Sequence, residues 1–133
     1  MTQQEFVECL RDAGVEVLVD VRAVPLSRRP GFSKNILAAG LREAGIGYVG
    51  FKALGTPAEG RAAARRNDVA TLSRIYAGQL EIPDAMAQAA MLRDLARERK
   101  VALLCFERAP ASCHRSLLAQ ALFADAEVID LFP

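Results

Sequence analysis

Apolar positions along the chain change period several times, and each change marks an element. From Gln3 to Ala13, Phe6, Val7, Leu10 and Ala13 recur at helical spacing, and Gly14 follows where a C-cap is needed. Val15 to Arg22 is β-branched and half alternating, which predicts a strand ending in the charged residues Asp20 and Arg22 before Pro25 stops it. Ala23 to Ser33 is an irregular loop holding Pro25, Ser27, Arg28, Arg29, Pro30 and Gly31, long enough to lie over a site. Ser33 is placed to cap a helix over Lys34 to Ala44, Gly45 ends it, and Ile46 to Val49 reads as a short strand.

Gly50 to Gly60, with Gly55, Thr56 and Pro57, reads as loop, and Arg61 to Gln79 as one or two short helices broken near Asn67 and Asp68. Pro83 and Asp84 open a helix over Ala85 to Arg99 with Met86, Ala89, Ala90 and Leu92 on its inner face. Val101 to Phe106 is an unbroken apolar run that meets charge only at Glu107 and Arg108. Such a run fits a parallel strand buried on both faces, a kind that is usually central. Pro110 blocks its continuation, and Ser112 can cap a helix carrying Leu117, Leu118, Ala121 and Leu122, so that Cys113, His114 and Arg115 fill the first turn. Val128 to Leu131 is a last short strand.

Strands alternating with helices predict an α/β fold, a single three-layer α/β/α domain over residues 1–133 with a mostly parallel sheet of about four strands joined by right-handed crossovers. With 133 residues the chain can bury about two thirds of its unfolded surface, so a core forms without disulfides. Three cysteines, an odd number, and a start at Met1 without a basic-then-apolar leader point to the reducing cytoplasm rather than to a secreted framework. No segment approaches the roughly 20 apolar residues that span a bilayer, so no membrane partner is expected.

The net charge of +1 supplies no global field for nucleic acid. Arginines far outnumber the three lysines, Lys34, Lys52 and Lys100, a bias that suits planar contacts with phosphate and carboxylate and that genome composition explains as well. Arg28, Arg29, Arg61, Arg65 and Arg66 could contact a phosphate backbone, with Phe32, Tyr48 or Phe51 for stacking, or simply form a solvated face.

Ligands of open parallel sheets bind beyond the carboxyl ends of the strands, where helix N-termini favour anions. Asp20, Arg22, Glu107, Cys113, His114 and Arg115 all map to that edge if the two charged strands run parallel. Cys113 at a helix N-terminus beside His114 could be a thiolate with a neighbouring base, or a thiol packed ahead of Leu117. A cysteine phosphatase requires arginine six residues after its cysteine, and both Cys105 and Cys113 have alanine there, at Ala111 and Ala119. His114 is the only histidine, and with Cys105, Cys113 and Glu107 it lacks the paired spacings of a zinc site, so no metal or cofactor is expected. It can instead donate to Asp20 or Glu107. Arg22 and Arg115 could clamp one anion, or pair with Asp20 and Glu107 in a structural network that locks the loops.

The ordered set Asp20-Val21-Arg22, Pro25, Ser27, Phe32, Gly45-Ile46, Tyr48, Leu54-Gly55, Leu104 to Glu107 and Cys113-His114-Arg115 resembles the family called domain of unknown function 488 over nearly the whole chain. The resemblance implies a three-layer α/β fold and brings no assigned activity. Members usually begin with a short strand ending in a Gly-His-Ser-type turn, whereas this chain starts at its first helix with Met1-Thr2-Gln3-Gln4, and activity is expected to be reduced or lost if that turn belongs to the site. The Asp-Val-Arg strand end also looks like the start of rhodanese domains, but Ser116-Leu117-Leu118 is not their arginine-rich, glycine-containing loop, which leaves a sulfurtransferase a weak alternative.

The expected function is therefore an enzyme, or a ligand-binding domain, with a phosphate-type anion pocket at the carboxyl edge. Cys113, His114, Glu107 and Asp20 are its candidate nucleophile and acid–base groups, and Arg22, Arg115, Ser27 and Tyr48 its substrate-binding groups. The expected partner is a small anionic ligand or nucleotide. A non-catalytic nucleic-acid or nucleotide binding module stands as the alternative, with a scaffold whose polar cluster is only structural as a third reading.

Overall fold

The computed structural model describes residues 2–27, 29–104 and 114–122, with the backbone alone of His114, Arg115, Ser116 and Gln120. Its centre is β1 (Val17–Asp20), whose four residues are all buried. Parallel to it run β2 (Gly47–Gly50) on one side and β3 (Val101–Leu104) on the other, giving the order β2-β1-β3. The register sets Asp20 between Gly50 and Leu104, so all three strands end at one edge.

The connections are α1 (Gln3–Asp12) before β1, α2 (Lys34–Glu43) between β1 and β2, then α3 (Ala58–Arg65), α4 (Val69–Leu80) and α5 (Pro83–Glu98) before β3, with α6 (His114–Leu122) after it. Strand alternation decides which helix covers which face. Leu18 packs with Val7 and Leu10 of α1 and Leu37 and Leu41 of α2, while Val17, Val19 and Val21 pack with Tyr76 of α4, Ala85 and Leu92 of α5 and Leu118 of α6. The result is the three-layer α/β/α arrangement that the alternating pattern predicts.

The described residues supply three of the about four strands expected, and the fourth, predicted over Val128 to Leu131, lies outside them. One expectation about the described strands needs correction. Among the described strands the central one is Val17–Asp20, whereas Val101–Leu104 pairs with β1 alone and is only half-buried. An apolar run reports burial by helices above and below a strand, not how many strands flank it.

Helix ends follow local chemistry. Thr2 and Glu5 form a capping box at α1, each side chain accepting the other's backbone N–H. Gly14 and Gly45, both at positive φ, close α1 and α2 with paired bonds from Gly14 N–H to Arg11 and Val15 N–H to Leu10, and from Gly45 to Arg42 and Ile46 to Leu41. Because Ile46 belongs to that closure, β2 begins one residue later than its apolar pattern suggests. Asn67 at φ 57° ends α3, and Asp68 caps α4 by accepting from Thr71 N–H at 3.2 Å, so the predicted break falls where it was placed. The helix before it starts earlier than expected, at Ala58, and a 3-10 turn over Lys52–Leu54 interrupts the loop.

Two side-chain expectations also change. Ser33 stands at the N-cap of α2 but makes no capping bond; its hydroxyl accepts from Ser27 N–H at 3.0 Å and donates to the Ser27 carbonyl, tying the loop instead. On α5 the buried residues are Ala85 and Leu92, with Met86 59% exposed and Ala90 exposed, since the helix is rotated to present Ala85, Gln88, Ala89 and Leu92 to the sheet.

Candidate functional site

At the carboxyl edge of β1, a β-branched run passes into two charged side chains that share one face with Leu18. Asp20 is 1% and Arg22 3% exposed, and charges so buried must be paired. Arg22 wraps back onto Asp20, its Nε donating to Oδ1 at 2.8 Å and its Nη2 to Oδ2 at 2.7 Å, while the Arg22 backbone N–H reaches Oδ1 at 3.1 Å. The remaining branch, Nη1, donates to the Phe32 carbonyl at 2.8 Å, which fastens the loop after β1. From the neighbouring strand the Tyr48 hydroxyl donates to Oδ2 at 2.5 Å. Two bonds to each carboxylate oxygen occupy all of Asp20's acceptor positions. Burial, reinforced by that carboxylate, pushes the Tyr48 phenol well above its ordinary value, and the adjacent guanidinium opposes the shift.

In front of this network lies a pocket of about 180 Å³ lined by Asp20, Arg22, Lys34, Tyr48, Lys52 and Gln88 together with Pro25 and Gly50. The lining groups outside β1 and β2 come from separate elements. Lys34 opens α2, Lys52 opens the 3-10 turn after β2, and Gln88 crosses over from α5, where its Oε1 accepts from Ala53 N–H at 2.9 Å. Neither lysine forms an ion pair among the described residues, and with Asp20 and Arg22 cancelling, the lining carries a charge of +2. Lys34 sits at the end of α2 where the helix dipole favours anions, and the first turn of α2 has no acidic residue.

The loop behind the pocket is held by side chains of α4 that reach its carbonyls. Tyr76 Oη donates to the Leu54 carbonyl at 2.6 Å and Gln79 Nε2 to the Ala53 carbonyl at 2.8 Å. A side chain at Gly55 would put its Cβ 2.3 Å from Ala23 N and 2.5 Å from Ala23 Cα, so only glycine lets this loop lie against the exit of β1.

Of the residues expected at the site, the structure brings together Asp20, Arg22 and Tyr48. Ser27 lies in the same loop as Pro25, but its hydroxyl accepts from Arg29 N–H at 3.1 Å and it does not line the pocket. The expected parallel arrangement of β1 and β3 holds, with Leu104 beside Asp20. Cys105, Glu107 and Cys113 lie outside the described residues, as do the side chains of His114 and Arg115.

Lys34, Lys52 and Gln88 are not among the site residues that the sequence suggests. The two lysines follow closely on predicted strand or loop ends at the carboxyl edge, a positional signal that would have found them.

Three of the arginines considered for a phosphate backbone have local roles: Arg29 stacks over Phe32 at 4.6 Å, Arg61 donates to the Thr56 carbonyl at 2.8 Å, and Arg66 lies 3.6 Å from Asp68, while Arg65 is exposed. Arg28 lies outside the described residues. Phe32 and Phe51 are 5% and 4% exposed, which corrects the expectation that they offer faces for stacking: both rings fill the core. Among the described residues no group of histidine, cysteine and carboxylate side chains could hold a metal, and no helix is long and apolar enough to cross a membrane.

A family model described as domain of unknown function DUF488 matches residues 2–122. No curated protein and no solved structure matches the chain.

Proposed function

The chain belongs to the DUF488 family, which brings no activity with it, and from its own geometry we propose that it binds a small phosphate-type anion at the carboxyl edge of the sheet. The observation that carries the proposal is the pair Lys34 and Lys52, two cations without ion-pair partners among the described residues, facing one pocket in front of a neutralised Asp20–Arg22 pair. Lysine in the first turn of a helix opposes the dipole at a cost of about 0.3–1 kcal/mol, a local penalty that an anion at the same point removes. At about 180 Å³ the space suits an oxyanion or the phosphate end of a larger ligand. A reaction on that ligand would draw on Glu107, Cys113 and His114, which come after β3 in the sequence.

Calorimetric titration with inorganic phosphate at low salt tests the reading. Saturable binding that weakens about tenfold or more in the Lys34→Ala/Lys52→Ala double variant is expected, and absence of binding at millimolar phosphate overturns it. In parallel, the alkylation rate of Cys113 with and without phosphate, set against Cys9 and Cys105, tests the wider site. Protection of Cys113 alone supports a shared site, and equal rates place the thiol outside it.

A further inference from the structure

Every polar side chain that lines the pocket can be assigned as a donor or an acceptor. Lys34 and Lys52 only donate. Gln88 already accepts from Ala53 N–H through its carbonyl oxygen, and its NH₂ group, a donor, has no partner among the described residues. Asp20 would be the natural acceptor, but Arg22 and Tyr48 saturate it. The proton between Tyr48 and Asp20 sits on the phenol, because a carboxylate engaged twice by a guanidinium has no proton to give. The Tyr48 oxygen is thus left with acceptor capacity only. No hydrogen bond among the described residues ends on this oxygen at bonding geometry, and the Arg22 guanidinium, which lies near enough to act on the phenol, is a group with which a ligand's proton would compete there. The hydroxyl lies over Gly50, where a Cβ would come within 3.7 Å of it, so the missing side chain keeps the oxygen open to the pocket.

We infer that the pocket selects an oxyanion carrying its own O–H, such as hydrogen phosphate, over a fully deprotonated one such as sulfate, with the Tyr48 oxygen accepting the ligand's proton. The inference rests on the anion reading above and adds its specificity. The lysines and Gln88 satisfy the anionic oxygens of either ligand. Only the protonated one has a donor for Tyr48, while a bare oxygen at that position meets a lone pair that no proton separates from it. Tyr48 is a specificity-determining residue here and needs no role in bond making.

The test is a set of calorimetric titrations at about pH 8, where inorganic phosphate retains a proton, whereas sulfate carries none and methyl phosphate, with its second pKa near 6, has lost its own. The protein is expected to bind hydrogen phosphate about tenfold more tightly than either sulfate or methyl phosphate, the worth of one hydrogen bond gained and one repulsion avoided. Tyr48→Phe, with its fold checked by circular dichroism, is expected to narrow that preference to about twofold by weakening phosphate alone. Equal affinities for the three anions in the unaltered protein overturn the inference and leave the anion site standing, as does a preference that survives Tyr48→Phe. Failure to bind any of them overturns the anion site itself. The comparison of the three anions needs no variant, so equal affinities overturn the inference even if Tyr48→Phe does not fold.

Discussion

Two rings of polar side chains meet at the carboxyl edge of this sheet, and they are built to opposite plans. The inner ring of Asp20, Arg22 and Tyr48 is buried or half-buried and tied together: the carboxylate has no acceptor position left, and Arg22 also holds the Phe32 carbonyl. The outer ring of Lys34, Lys52 and Gln88 is more exposed, comes from three separate elements, and presents donors that nothing among the described residues takes up. A closed network shapes the edge and fixes the loop after β1, whereas open donors leave binding capacity unused. Charge alone does not distinguish a structural cluster from a ligand site; the count of unsatisfied donors and acceptors does.

The strongest break in this contrast comes from the inner ring. Asp20→Ala strands the Arg22 guanidinium in a site 3% exposed, and loss of one member of a buried pair costs about 3–5 kcal/mol. Denaturant unfolding should show that loss, and the double variant Asp20→Ala/Arg22→Leu should be more stable than Asp20→Ala alone, because no buried charge is left uncompensated. A double variant at least as unstable as the single one would mean that the Arg22 bond to the Phe32 carbonyl, not the ion pair, dominates the network.

Tyr48 links the two rings and sharpens the contrast through pH. Its phenol is held above the ordinary value near 10, mainly by burial, so the native state keeps a proton that the unfolded chain releases. The stabilisation is complete below about pH 10 and is lost as pH rises beyond it towards the native value. Tyr48→Phe is expected to cost about 1–2 kcal/mol at neutral pH through the lost bond to Asp20. Above pH 10 the variant's stability should fall less steeply than that of the unaltered protein, by at most about 1.4 kcal/mol per pH unit, and less to the extent that solvent screens the ring. Tyr76, shifted the same way by burial, supplies an alkaline slope common to both proteins, so the difference between them isolates Tyr48. Parallel unfolding curves from pH 9 to about 11 would show that the phenol titrates normally.

The inner ring was the part of this edge that could be read in the sequence. Charged residues ending a β-branched run announce a strand end, and Asp20 and Arg22 are two apart, hence on one face, whatever the tertiary structure. Tyr48 came with the family resemblance, but its bond to Asp20 depends on the register that sets Tyr48 beside Leu18, and register is a property of the assembled sheet. The outer ring is harder to read, since Gln88 arrives from a helix whose apolar spacing suggests Met86 inward, and the two lysines carry only the weak signal of standing just after strand and loop ends at the carboxyl edge. The same limit applies to the order of the described strands: the run from Val101 carries the stronger apolar signal, yet neighbours are assigned by crossovers, which set Val17–Asp20 between the other two. One start signal was fully local. Thr2 and Glu5 are spaced as a capping box, which fixes the start of α1 more closely than apolar spacing does.

The smallest stability effect is expected where the largest effect on binding is, at the lysines. The side chains of Lys34 and Lys52 are exposed and bond to nothing among the described residues, so replacing either with alanine should leave stability within about 0.5 kcal/mol. Lys34→Ala should even be slightly stabilising, because it removes a cation from the positive end of α2. Phosphate affinity should nevertheless fall several-fold for each. Lys100→Ala provides the control: it precedes β3 at the opposite edge and changes the net charge by the same amount. If the lysines acted only through net charge, all three variants would weaken phosphate binding equally and salt would erase the differences. If Lys34 and Lys52 face the anion in the pocket, Lys100→Ala leaves its affinity unchanged and the other two do not. That divergence, with unfolding curves that nearly superimpose, separates an open ring that binds from a closed ring that holds the fold.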